Sequence, residues 1–156
     1  MRQGGFGTTL TWKGISLAAH FSWVADRWVF NNDRYLDEGN GLFETYNQSR
    51  RLLYDRWKKR GDVTDIPRYG VTPQMDSRFL EDASFLRLKN LMLSYNFPHA
   101  LLEKTNFLTY LRVFVQGQNL LTFTNFSGLD PEGVSNMYQA QYPSTRQFTF
   151  GLEVSF

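Results

Sequence analysis

The chain has 156 residues, a net charge of +2, 42% hydrophobic and 17% aromatic residues, and no cysteine, with a mean hydropathy of −0.42. No run of about 20 apolar residues occurs, which excludes a helical membrane protein but not a barrel, whose strands are apolar only at alternate positions. The balanced charge argues against nucleic acid as a partner, and without cysteine there is neither a disulfide framework nor a thiolate metal site.

The first readable unit is a hairpin. Phe6, Thr8, Leu10 and Trp12 alternate with small or polar residues, Lys13-Gly14 makes a tight turn, and Ile15, Leu17, Ala19, Phe21 and Trp23 alternate again. Residues 26–84 follow as a long polar segment rich in turn signals and without expected strands. Within it, residues 48–60 are expected to form a helix with Leu52, Leu53 and Trp57 on one side and Ser49 as its cap. A third strand is expected over residues 85–97, with Leu91, Leu93, Tyr95 and Phe97 on its apolar face, ended by Pro98. A short connection with a helical turn at residues 101–104 leads to a fourth strand, 109–124. There Leu111, Val113 and Val115 face one way and Arg112, Gln116 and Gln118 the other, with Phe114 breaking the alternation. A second loop spans 125–144. The fifth strand, 145–156, alternates most cleanly, through Phe148, Phe150, Leu152, Val154 and Phe156.

Alternation alone also fits a soluble β-sandwich whose apolar faces meet each other, and a sandwich module that binds glycans through loop aromatics is the competing reading. Two features favour strands that face lipid. The connections alternate short and long, as in barrels with short periplasmic turns and long extracellular loops. The chain also ends on an aromatic residue within an alternating strand, and Trp12, Trp23, Tyr95 and Phe156 fall near strand ends, where interfacial girdles are expected. The expected fold is therefore all-β, with about five antiparallel transmembrane strands.

The segment from Thr149 to Phe156 resembles the C-terminal assembly signal of outer-membrane proteins, with Thr149, Gly151, Val154 and Phe156 at its fixed positions. That resemblance implies recognition by the barrel-assembly machinery. Further segments are Asp55-Arg-Trp57, Thr64-Asp-Ile-Pro-Arg68, Leu93-Ser-Tyr-Asn-Phe-Pro98, Val115-Gln-Gly-Gln-Asn-Leu-Leu-Thr-Phe-Thr124 and Gly128-Leu-Asp-Pro-Glu132. In this order and spacing they resemble the C-terminal region of the SusC/RagA family of TonB-dependent outer-membrane transporters. The resemblance implies a 22-stranded barrel with an N-terminal plug in the bacterial outer membrane. It also implies TonB-driven import of glycan or peptide fragments and a SusD-like surface lipoprotein as lid. On this reading residues 1–156 are a fragment, without plug or N-terminal barrel strands. Residues 1–8 carry no signal-peptide pattern, and Gly4, Gly5 and Gly7 suit the middle of a longer chain.

Several side chains have plainer readings. Arg56, Lys58, Lys59 and Arg60 are expected to be a solvated loop face. Arg87 and Lys89 share the parity of the lipid-facing residues and are expected near headgroup phosphates at the outer end of the third strand. His20 and His99 lack ligand spacing, Asp130 and Glu132 are too few for calcium, and Glu81 and Asp82 point opposite ways if extended. No nucleophile elbow, P-loop, dinucleotide fingerprint or zinc motif occurs, so neither an enzyme nor a cofactor is expected. The loop aromatics Tyr35, Tyr46, Trp57, Tyr69 and Tyr138 are candidate contacts for substrate or partner, with packing inside the loops as the alternative.

Overall fold

The structure, a computed structural model, describes residues 1–43, 45–103, 107–133 and 135–156. The chain divides into two compact units. The sheet unit comprises Met1–Asp26, Ser84–Thr124 and Pro143–Phe156, and the loop unit comprises Arg27–Ala83 and Asn125–Tyr142.

The sheet unit holds β1 (Arg2–Trp12), β2 (Ile15–Ala25), β5 (Phe85–Asn96), β6 (Tyr110–Thr124) and β8 (Gln147–Ser155), ordered β1-β2-β5-β6-β8. All four pairings are antiparallel. The strands run from 9 to 15 residues, long enough to cross a bilayer, which takes about 9–11. Lys13 and Gly14 both have positive φ, 46° and 86°, the turn whose twist matches that of the flanking strands. This is why Gly follows Lys there.

Register sorts the side chains cleanly. Leu10, Leu17, Leu93, Val115 and Phe150 are successive partners across the five strands, and this side stays open to the surroundings: Leu10 is 63% exposed, Phe150 78% and Leu152 63%. The row two residues nearer the turns repeats the pattern with Trp12, Ile15, Tyr95, Val113 and Leu152. The opposite side carries Thr9, Ser16, Ser94, Arg112, Gln116 and Glu153, among others. Arg112 and Glu153 pair there at 3.3 Å.

One expectation fails here for a local reason. A bulge at Lys89 shifts the register: His20 pairs with Asn90 but Phe21 with Leu88, and Asn90 pairs with Gln118 but Leu88 with Leu121. An inserted residue reverses the parity beyond it. Leu86 and Leu88 therefore continue the apolar side, and Arg87 turns to the polar side. It is 3% exposed there, with its guanidinium over the Phe85 ring at 5.4 Å. Arg87 is not a lipid-side headgroup contact.

The loop unit has a small sheet of its own, which alternation did not reveal. β3 (Trp28–Asn31) pairs antiparallel with β4 (Leu80–Asp82) and parallel with β7 (Met137–Tyr138). These strands have two to four residues, too short for a periodic signal. Val29, Ala83, Phe126 and Tyr138 form its buried core. Helix α1 (Asn32–Asp37) is capped by Asn31, whose Oδ1 accepts the Arg34 N–H at 3.0 Å, and a single 3-10 turn, Ser77–Phe79, precedes β4.

The helix expected over 48–60 shrinks to α2 (Arg51–Tyr54). Its continuation is outcompeted by loop partners. The Thr64 hydroxyl donates to the Asp55 carbonyl, the Asp62 carboxylate accepts the Lys58 and Lys59 N–H groups at 3.0 and 2.9 Å, and the Trp57 N–H donates to the Ile66 carbonyl at 3.0 Å. Side chains that satisfy local backbone groups offer an alternative to the helical ladder. Of the expected apolar side, Leu52 is buried and Leu53 is 64% exposed. Ser49 Oγ accepts the Arg51 N–H at 3.3 Å. The turn expected at 101–104 is α3 (His99–Leu102), while Lys104 lies outside the described residues.

Candidate functional site

Two places in the molecule concentrate features beyond simple packing. The first is the end of the sheet. In β8, Thr149 lies opposite Gln116, Gly151 opposite Phe114 and Val154 opposite Leu111. Phe156 is 74% exposed, and its ring meets that of Phe107 with centroids 4.8 Å apart. Three of the four signal positions thus lie on β8, whose one pairing partner among the described residues is β6, and Phe156 follows the strand directly.

The second is a knot of charges in the loop unit. Glu38 is 1% exposed, which an ionised carboxylate tolerates only when paired. Its Oε1 accepts Arg34 Nε at 3.0 Å and an Arg51 Nη at 2.7 Å, and Arg78 stands 3.7 Å from its Oε2. Arg34 also reaches Glu81 at 3.2 Å and Asp65 at 3.2 Å, and Arg51 reaches Asp65 at 2.8 Å. Glu81 binds Ser127 through both the hydroxyl, at 2.7 Å, and the backbone N–H, at 3.0 Å. The knot therefore ties α1, α2, β4 and the second loop together.

The carboxyls record the balance of forces. Burial by itself would raise Asp65, but the hydrogen bonds and charge of Arg51, backed by Arg34, hold it below the ordinary carboxylate range. Burial would likewise raise Glu81, and Ser127 with Arg34 outweighs it. Asp37 is raised, by burial first and then by the charges of Asp33 and Glu38. Beside the knot a cavity of about 570 Å³ is bordered by Asp33, Arg34, Asp37, Arg51, Ser127 and Tyr138. Of the knot only Glu81 stands out in the sequence, as a neighbour of Asp82 and not as an ion-pair partner, although Arg34 and Glu38 stand four residues apart, a spacing that pairs charges on a helix.

The loop aromatics separate. Tyr35 is half-buried in a cluster with Phe30, Phe43 and Phe79. Tyr138 is 4% exposed, and its hydroxyl accepts the Leu129 N–H at 3.0 Å. Tyr46 and Tyr69 are exposed, Tyr69 with the Arg56 guanidinium over its ring at 5.2 Å. Trp57 is half-buried. Asp130 is buried, and its Oδ1 accepts the Glu132 N–H at 2.9 Å, a turn role. Among the described residues no group of three histidine or acidic side chains is placed to hold a metal, and no helix is long and apolar enough to cross a membrane.

No protein-family model matches the chain. Similarity to individual proteins is extensive. A TonB-dependent receptor of Formosa agariphila is 34% identical over 97% of this chain, and the TonB-dependent receptor SusC of Bacteroides thetaiotaomicron is 34% identical over 56% of it. The solved RagAB peptide importer in its open-open state contains a chain that superposes on 99% of this one with a TM-score of 0.91 and 42% identity. The chain belongs to the SusC/RagA family of TonB-dependent receptors. It spans about a sixth of the length of the relatives it matches, 16% of the Formosa receptor and 17% of the RagAB chain. SusC/RagA proteins are outer-membrane proteins. The match to the RagAB chain, at 42% identity over 99% of this chain, displaces the sandwich alternative.

Proposed function

We propose that this chain is the C-terminal part of an active outer-membrane transporter that imports glycan or peptide fragments, energised through TonB and capped by a SusD-like surface lipoprotein. The observation that carries the reading is the continuous apolar side across five strands, backed by a polar side of serine, threonine, glutamine and arginine. Such a sheet suits a wall between lipid and an aqueous interior. Among the described residues β1 and β8 are each paired on one side only. Backbone groups left unpaired in lipid are costly, and the smallest outer-membrane barrels have about eight strands. The remaining strands, and a plug that contacts TonB, therefore belong to the parent protein.

Within this reading Thr149, Gly151, Val154 and Phe156 are the signal to the barrel-assembly machinery. Of the five candidate loop aromatics, Tyr46, Tyr69 and Trp57 keep ring surface to stack on a sugar or a peptide side chain. Tyr35 and Tyr138 are spent on packing. The similarity to a peptide importer supports peptide fragments as cargo, and glycan fragments are the second cargo class that the family resemblance implies.

The first test is an immunoblot of source-cell outer membranes with an antibody against residues 26–84. A band several times larger than 18.3 kDa is expected. A band at 18.3 kDa that extracts without detergent overturns the proposal. Uptake of labelled oligopeptides and oligosaccharides, with and without the gene, then assigns the cargo. In the full-length parent, Phe156→Ala is expected to lower the outer-membrane level, and an unchanged level counts against the assembly signal.

A further inference from the structure

The three signal residues of β8, Thr149, Gly151 and Val154, do not share a face. Val154 stands opposite Leu111 on the apolar side, and Phe156, two residues on, continues that side. Thr149 and Gly151 stand opposite Gln116 and Phe114 on the polar side. A partner that reads the strand from one side meets two of the four. Gly151 therefore needs a separate explanation.

Its backbone does not supply one, because Gly151 is not among the glycines with positive φ. Its surroundings do. A methyl group built on Gly151 falls well inside 3.0 Å of three carbons of the Phe114 ring. Real Cβ atoms do not approach so closely, so any side chain at 151 requires the half-buried Phe114 ring to move. Phe114 is also the residue that breaks the alternation of β6. Its row across the sheet reads Thr11, Ser16, Ser94, Phe114, Gly151, so one large ring lies among four small residues, next to the only glycine of β8.

We infer that Gly151 is required by the docking of β8 onto β6, as the socket for Phe114, and that Phe114 is a positioning residue that sets the register of the closing strand. This rests on reading residues 149–156 as an assembly signal, and it divides that signal in two. Gly151 acts inward, through Phe114. Val154 and Phe156 face outward and remain for the assembly machinery. The physical need is specific. Side chains alternate with period two, so a slip by one residue reverses the faces and is rejected, but a slip by two preserves them. Apolar and polar patterning leaves β8 free to choose among registers two residues apart. The ring of Phe114 removes that freedom. A slip by two in either direction puts Thr149 or Glu153 opposite Phe114, where their side chains occupy the space the ring needs.

The test uses the full-length protein in its host. Gly151→Ala is expected to lower the outer-membrane level about tenfold, as overpacking of a tight contact does. Combining it with Phe114→Ala is expected to restore the level to within about twofold, because the obstructing ring is gone. Register is read separately by cysteine cross-linking, since the chain itself has no cysteine. Val113→Cys with Leu152→Cys reports the observed register, and Val113→Cys with Phe150→Cys or with Val154→Cys reports the slips by two. With Phe114→Ala, cross-linking of a slipped pair is expected to appear. If the double variant stays as low as Gly151→Ala, the glycine is read by the machinery and the inference is wrong. If Phe114→Ala leaves only the observed register, Phe114 does not set it. Phe156→Ala, run alongside, tests the signal itself: normal levels there with rescue in the double variant would sink the signal and spare the lock.

Discussion

The sheet unit and the loop unit solve opposite problems. The sheet leaves large apolar side chains open, with Phe150 at 78% and Phe148 at 66%, and spends its hydrogen bonds on backbone ladders. The loop unit buries a carboxylate, Glu38, at 1% exposure and holds itself together through side chains: three arginines, three carboxylates and a string of aromatic rings. The difference follows from the solvent each faces. In lipid, backbone polar groups have no partner but each other, so regular pairing is compulsory and apolar surface is free. In water, irregular backbone is affordable if side chains tie it down.

That contrast can be broken at its strongest points. In the full-length parent, Glu38→Ala leaves Arg34, Arg51 and Arg78 facing one another without their shared carboxylate. Removing one partner from a buried pair costs about 3–5 kcal/mol, and the loss is expected in the loop unit alone. Hydrogen exchange should rise across residues 27–83 while the sheet strands and the outer-membrane level stay as they were. A matching fall in the outer-membrane level would mean that the two units do not fold independently.

Leu91→Arg attacks the other side of the comparison. Leu91 sits mid-strand on the apolar side, opposite Ala19 and Gly117. Arginine at mid-bilayer costs about 2–4 kcal/mol, so the outer-membrane level is expected to fall, while Asn90→Arg, on the polar side, is tolerated. Equal levels for the two variants would contradict the assignment of faces.

Acid should loosen the loop unit first. Asp65 and Glu81 have depressed pKa values, so their contribution is complete above the ordinary carboxylate range and is lost as pH falls through the depressed values, below about 4. Asp37 is raised and works the other way, gaining a little as it protonates. Protease cleavage within 27–83 is therefore expected to set in below about pH 4 with the sheet intact. Sheet and loops opening together would remove the distinction.

The smallest effect concerns the exposed rings. Tyr69→Ala, which also frees Arg56, is expected to change stability by no more than about 0.5 kcal/mol but to weaken uptake of whichever cargo is transported. Tyr138→Ala should do the reverse, since its ring packs against Phe126 at 5.0 Å.

Legibility followed the same division. The five long strands, their hairpin turn and the alternating connections were readable because period-two patterning is local and each strand repeats it. The bulge at Lys89 was not, since nothing in Arg87-Leu88-Lys89-Asn90 marks which residue drops out of the ladder, and so Arg87 was assigned to the wrong face. The helix expected over 48–60 is cut to Arg51–Tyr54 because apolar spacing at Leu52, Leu53 and Trp57 looks helical until Asp62, Thr64 and Ile66 claim its backbone. The charge knot joins residues as far apart as Arg34 and Ser127 through Glu81, and no local pattern encodes that.

By itself, then, the sequence determined the five long strands and the resemblance to the family, because alternation, turn chemistry and motif order are properties of neighbours along the chain. Only the tertiary structure decided the register beyond Lys89, the burial of Glu38 and the ring of Phe114 over Gly151, because each depends on which distant residue stands opposite, and pairing across strands is set by packing in three dimensions.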